Sequence, residues 1–324
     1  MNEIPIEIRK SNDKSLRGIV HIPSNVSSLQ ERRIGINIII PGIKYRVAPN
    51  RLSVKLARSL CAEGFYVLRA DPEGIGESDG DLEKGKVLKD IFFDIQRGMF
   101  VDDTVLLHKF FIKEYTLHDT VLIGNCGGAT TALLAQSRLG VTNLVLIDMP
   151  ITYARNTSYR DQILRGGSYA DASFYHYLAK IFYLRSWLRF FTLKSNYSAI
   201  YAVIKSKWTK VFVDRLTKAN NTIKQNKIEL YTDVGEELNI EIFEAFDHFK
   251  KEGKALLICA EYDPNTPVFD QYFVKHFPEI VEQNQRRIIK RTIKEANHIY
   301  RTIQAQENLI CLIKEWLKNY VLTE

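Results

Sequence analysis

The segment Gly124-Asn125-Cys126-Gly127-Gly128 follows the apolar run Thr120-Val121-Leu122-Ile123 and sets one cysteine between glycines. A Gly-x-nucleophile-x-Gly turn between a strand and a helix is a nucleophile elbow, which holds a reactive side chain in a strained conformation above a sheet. Gly124 and Gly128 have the small size that close strand–helix packing needs. The Cys126 sulfur would then sit at a helix N-terminus, where the positive end of the macrodipole favours thiolate over thiol. The other reading of this stretch is a buried thiol in a tight turn, so its partners decide between the two.

An activated nucleophile needs a base, and the base needs an orienting acid. In an elbow architecture the chain order is nucleophile, acid, histidine, with the last two on loops after late strands. Asp263, in "LLICAEYDPNTPV", follows a strand-like run at 255–259. His298, in "IKEANHIYRT", lies between a strand-like run at 286–293 and a closing helix. These placements predict a Cys126–His298–Asp263 triad, although an Asp-Pro turn and a helix-start loop also account for each residue singly. Asp148 and Glu261 compete for the acid's place. His248 and His276 fall in helix-like stretches, away from the loops that the chemistry requires. For the oxyanion, the backbone N–H of Gly127 and that of Ile43, in "PGIKYR", are the candidates, because Pro41 has no N–H.

Strand-like and helical runs alternate up to about residue 148, with strands near 36–40, 66–68, 121–123 and 144–147. Helices are expected at 51–63, at 90–113 as one long element, and at 126–138; 4–8 and 18–22 read as an antiparallel start. The rhythm stops after Pro150, where "FYHYLAKIFYLRSWLRFFTL" is aromatic and helical in propensity. It resumes at 255–259, followed by helices at about 268–276 and 301–320. This predicts an α/β fold with a mostly parallel central sheet flanked by helices and an inserted helical cap. The parts are 1–150 and 251–324 for the core and 151–250 for the cap.

The chain carries a net charge of +7, and residues 151–232 hold 14 Lys or Arg against 4 Asp or Glu. That segment would attract an acidic carrier protein, the phosphates of coenzyme A or an anionic lipid surface, or it is simply a solvated face. Its Lys and Arg do not form the single polar face of a membrane-surface helix, and no nucleic-acid-reading motif is present. Cysteines 61, 126, 259 and 311 form no CxxC pair, so neither a zinc site nor a disulfide scaffold is expected. The glycines of "DPEGIGESDG" miss the dinucleotide-binding spacing by one, so the loop reads as structural and no cofactor is expected. With no signal-like start and no long apolar run, a cytoplasmic location is the default expectation.

Pro41-Gly42, "ADPEGIGESDG", "GNCGG", Asp263 with Pro267, and His298 together resemble the α/β-hydrolase superfamily. More narrowly, "YRVAPNRLSVKLARSLCAEGFYVLRADPEGIGESDGD" with "GNCGGA" looks like the hydrolases found with exosortase and exopolysaccharide-biosynthesis systems, several of which carry cysteine at the elbow. The chain departs from the superfamily pattern in having Pro-Gly for His-Gly, Glu73 where an arginine is usual, and cysteine for serine. The resemblance implies an acyl ester or thioester hydrolase with an acyl-cysteine intermediate, or an acyltransferase using the same intermediate. A non-catalytic binding protein of the same fold is the reading from another class.

Overall fold

The computed structural model describes residues 1–24, 32–82, 86–153, 237–280 and 287–322. Eight strands form one sheet: β1 (Asn2–Arg9), β2 (Ser15–Ile22), β3 (Ile34–Ile39), β4 (Tyr66–Ala70), β5 (Asp119–Asn125), β6 (Asn143–Ile147), β7 (Lys254–Ala260) and β8 (Ile288–Ile293). Their spatial order is β1-β2-β4-β3-β5-β6-β7-β8. The pairs β1–β2 and β2–β4 are antiparallel, and every pair from β4 to β8 is parallel. The expected antiparallel start and parallel remainder are both present. Because β6 pairs with β7, the chain on either side of the expected insertion completes a single sheet.

The central strands are buried on both faces, which is why they read as unbroken apolar runs. Along β5, Val121 and Ile123 join the cluster formed by α1 (Leu52–Ala62) and the C-terminal helix, while Leu122 joins the cluster on the opposite face. Between β4 and β5 lie α2 (Leu88–Gln96) and α3 (Val101–Tyr115), followed after β5 by α4 (Gly127–Leu139). The single helix expected at 90–113 is thus two helices. Gly98, at φ 94°, terminates the first, and its N–H returns to the carbonyl of Ile95 at 3.0 Å. A residue with a Cβ is strained at that φ, so the glycine sets the break despite continuous helical periodicity.

Most of the expected cap lies outside the described residues. Its final stretch is described, and forms α5 (Ile240–Phe249), whose Ile242, Phe243 and Phe246 pack into the same cluster as Leu122 and Leu257. The chain leaves and returns through a short stem in which Thr152 bridges Leu238, and Tyr153 N–H donates to the Glu237 carbonyl at 2.8 Å. After β7, α6 (Asn265–Val268) runs on into a wider π turn, Phe269–Val274, and the chain closes with α7 (Ile303–Tyr320). The Thr302 hydroxyl caps α7 by accepting from Ala305 N–H at 3.2 Å.

Phe246 is fully buried, with ring centroids 4.9 Å from both Phe273 and Phe277. Phe246→Ala is expected to cost about 3–5 kcal/mol of stability through lost burial and the resulting cavity, measured by denaturant unfolding.

The loop after β4 is held by contacts with its own residues and with Arg46. Asp71 accepts from the N–H groups of Arg46 at 2.6 Å and Glu77 at 3.2 Å and pairs with the Arg46 guanidinium. A Cβ on Gly76 would lie 2.3 Å from Asp71 Oδ2. Glu73, the residue that departs from the usual arginine, is bonded to Lys10 Nζ at 2.7 Å and to Lys14. Those lysine hydrogen bonds outweigh burial and hold its carboxyl at about 2. The acid therefore tethers the β1–β2 turn to this loop.

Candidate active site

The elbow is built by two close approaches. A Cβ on Gly124 would lie 2.2 Å from the Gly128 carbonyl oxygen, and one on Gly128 would lie 2.4 Å from the Ile40 carbonyl oxygen. These contacts seat the start of α4 directly on the ends of β3 and β5. Cys126, between them, has φ 53° and ψ −124°, a conformation that side chains disfavour. Its N–H donates to the Ile147 carbonyl at 2.9 Å, and its own carbonyl accepts from Ala129 N–H at 2.9 Å. The turn is thereby fixed from β6 on one side and from the helix on the other. Cys126 is half-buried, unlike Cys61 and Cys259, whose thiols are buried and inert: burial pushes Cys61 up to about 11 and Cys259 well above its ordinary value.

Asp263 and His298 meet from neighbouring loops. His298 Nδ1 and Asp263 Oδ2 are 2.6 Å apart, and Asp263 Oδ1 accepts from Asn265 N–H at 2.9 Å. Asp263 is fully buried, and the His298 side chain keeps 34% of its surface exposed. The two loops are pinned to each other because Tyr262 N–H donates to the Ala296 carbonyl at 2.8 Å. Burial opposes charge on the imidazole and is the strongest single influence on it. The charge of Cys126, the Asp263 hydrogen bond and the Cys126 hydrogen bond together prevail, so the His298 pKa lies well above 6.5. Cys126 and Asp263 thus both favour the protonated form of the ring.

The other acids are distributed differently. Glu261 turns to Lys294 Nζ and Glu295 N–H, both at 2.8 Å. Asp148 enters the site: one atom each of Asp148, Asp263 and His298 lie within 4.8 Å of one another. This trio is compact enough to ligate a cation, but in the observed arrangement Asp263 already holds His298 Nδ1. Asp148 is buried at φ 45°, with Oδ1 accepting from Ala260 N–H at 2.6 Å. Burial and then the charge of Asp263 push its carboxyl up to about 8. His248 and His276 are exposed residues of the helical regions, and His276 lies edge-on to Phe277 at 4.6 Å.

Tyr300 is a participant that the sequence reading missed. It is fully buried at φ 47°, and its hydroxyl lies against the Asp148 carboxyl. Neither that hydroxyl nor Asp148 Oδ2 makes a well-formed hydrogen bond among the described residues. The available signal was a large aromatic two positions beyond His298.

For the oxyanion, Gly127 N–H occupies the first turn of α4, where no intrahelical acceptor exists. Neither it nor Ile43 N–H makes a backbone hydrogen bond among the described residues. The two loops touch, since a Cβ on Gly127 would lie 3.2 Å from Gly42 Cα. Ile43 packs its side chain with Ile40, Ile75 and Ile95.

Asp148 is expected to make the stability of the fold depend on pH. Its pKa is raised on folding from 3.8 to about 8, so between those values the unfolded chain ionises while the folded chain keeps the proton, and stability falls as pH rises. Asp148→Asn removes that titration. Its unfolding free energy relative to the native chain is expected to rise with pH across this window, by at most about 1.4 kcal/mol per pH unit, as measured by denaturant midpoints.

No family model matches the chain, and no curated protein matches its sequence. Solved structures do match. An esterase of Pyrococcus furiosus, Pf2001, superposes with a TM-score of 0.55 at 16% identity, covering 98% of this chain and 92% of that one. The alpha/beta hydrolase GrgF of a Penicillium species gives 0.54 at 14%, covering 99% and 100%. A proline iminopeptidase of Mycobacterium smegmatis gives 0.54 at 16%, covering 99% of both chains. Together with the sheet order, these likenesses establish the α/β-hydrolase fold.

Proposed function

We propose that the chain is an acyl ester or thioester hydrolase in which Cys126 is the nucleophile, His298 the base and then the acid, and Asp263 the group that orients His298. The observation that carries this reading is a half-buried cysteine on a strained elbow, together with an imidazole that is held at 2.6 Å by a buried carboxylate and whose protonation Cys126 favours. The names of the structural neighbours, an esterase among them, support ester chemistry. The narrower resemblance to exosortase-associated hydrolases supports cysteine as the nucleophile.

The reaction uses these residues as follows. His298 takes the Cys126 proton, the resulting thiolate attacks the acyl carbon, and the carbonyl π electrons move onto oxygen, which the N–H groups of Gly127 and Ile43 stabilise. As the bond to the leaving group breaks, His298 Nε2 gives that group its proton, leaving an acyl-cysteine. Water then attacks while His298 takes its proton, and the tetrahedral adduct collapses to acid and thiolate. An alcohol or amine in the place of water makes the same enzyme a transferase. The basic stretch at 151–232, to which a carrier protein or coenzyme A would bind, lies outside the described residues. No helix among the described residues is long and apolar enough to cross a membrane.

The test is intact-protein mass after brief incubation with short- and long-chain acyl thioesters, beside Cys126→Ala. An acyl adduct on the native chain alone, decaying in water with release of free acid, is the expected result. No adduct, together with a slowly alkylated thiol, would overturn the hydrolase reading in favour of a binding protein.

A further inference from the structure

We propose that Asp148 is a positioning residue, a second acid held behind Asp263 as a reserve acceptor for the His298 imidazole. The proposal rests on the reading of Cys126 and His298 as a reactive pair. Asp148 approaches from the end of β6, whereas Asp263 comes from the loop after β7, so two adjacent parallel strands deliver two carboxyls to one ring. The three groups lie within 4.8 Å of one another.

The Asp148 carboxyl is fixed rather than loose. Its backbone N–H donates to the Ile258 carbonyl at 2.8 Å, and Oδ1 takes the Ala260 N–H. Oδ2, buried, has no well-formed hydrogen bond among the described residues. A buried carboxyl oxygen left without a firm partner costs free energy, and such groups persist where a site uses them. The titratable groups facing it are Asp263, His298, Tyr300 and Cys259.

In the native chain the charge of Asp263 is one reason that Asp148 keeps its proton. Two carboxylates this close do not both ionise readily. Neutralising Asp263 removes that repulsion and leaves Asp148 as the remaining acid of the trio, whose ionisation the charge of His298 favours against burial. The same oxygen that is idle in the native chain then accepts from His298.

A double-mutant cycle of Asp148→Asn and Asp263→Asn tests this, reading the iodoacetamide alkylation rate of Cys126 at about pH 6 by intact mass, with His298→Gln as the baseline. Expected are a native rate above the baseline, a change under about twofold for Asp148→Asn alone, a loss of about tenfold for Asp263→Asn, and about a further tenfold loss in the double variant. Circular dichroism establishes that each variant folds. If Asp148→Asn does not fold, Tyr300→Phe in both backgrounds replaces it, with a further loss expected only beside Asp263→Asn. A double variant equal to Asp263→Asn, or additive effects of either partner, would overturn the proposal, as would a native rate no faster than the baseline. The cycle needs no substrate, so a chain that hydrolyses no acyl ester but shows the non-additive pattern would lose the hydrolase reading and keep this one.

Discussion

His298→Gln is expected to lower kcat/KM for an acyl thioester by about 10³-fold or more in a chain that still folds, with some loss of stability near neutral pH because the raised His298 pKa favours the folded state there. The side chain is partly exposed, and Gln keeps an N–H donor that can face the Asp263 carboxylate. Its raised pKa makes it a cation beside Cys126, so its loss removes the charge that would support a thiolate there. It also removes the donor that protonates the leaving group. The two losses separate with pH. Thiolate can be restored by raising the pH, and the alkylation rate of the variant should climb steeply toward alkaline values. Turnover should recover only partly, because proton donation to the leaving group stays absent. Alkylation and turnover measured side by side across pH distinguish this from a folding defect, and a variant with native turnover would remove His298 from the mechanism.

Gly124→Ala is expected to cost about 3 kcal/mol or more, and acyl-adduct formation with it. The added methyl would stand 2.2 Å from the carbonyl oxygen of Gly128, 2.4 Å from its carbon and 2.5 Å from the nitrogen of Ala129. All three are backbone atoms, so relief requires α4 to lift from β5. Overpacking of this kind ordinarily costs about 1–3 kcal/mol where side chains can give way, and here none can. Lifting α4 also moves Gly127 N–H and the Cys126 sulfur away from His298. Thermal unfolding and adduct mass on the same preparation check both effects. A variant of native stability would show that the elbow is looser than its close approaches imply.

The elbow was legible because glycine spacing reports backbone proximity directly: Gly124 and Gly128 are small where the helix start crosses strand ends. Asp263 and His298 were legible because each follows a strand in a fixed order. The choice among Asp148, Glu261 and Asp263 was open in the sequence. It depends on strand register and on which way each loop turns, and Glu261 is drawn aside by Lys294 and the Glu295 N–H. Tyr300 went unread because a loop has no periodicity from which burial can be inferred. The break at Gly98 went unread for the opposite reason, since periodicity continues through it. The helix expected at 268–276 begins earlier and widens at Phe269, a change of winding that periodicity does not register.

The stem at Thr152 and Leu238 gives this architecture a modular property. Cys126 precedes the intervening segment and Asp263 with His298 follow it, yet the parallel β6–β7 pair and the stem bring the two ends together regardless of what lies between. Closing a longer excursion is cheap, since doubling the length of a flexible loop adds only about 0.6 kcal/mol. The junction is therefore a natural graft point. Segments of different length and composition could be exchanged there while the strands that carry Cys126, Asp263 and His298 keep their pairing.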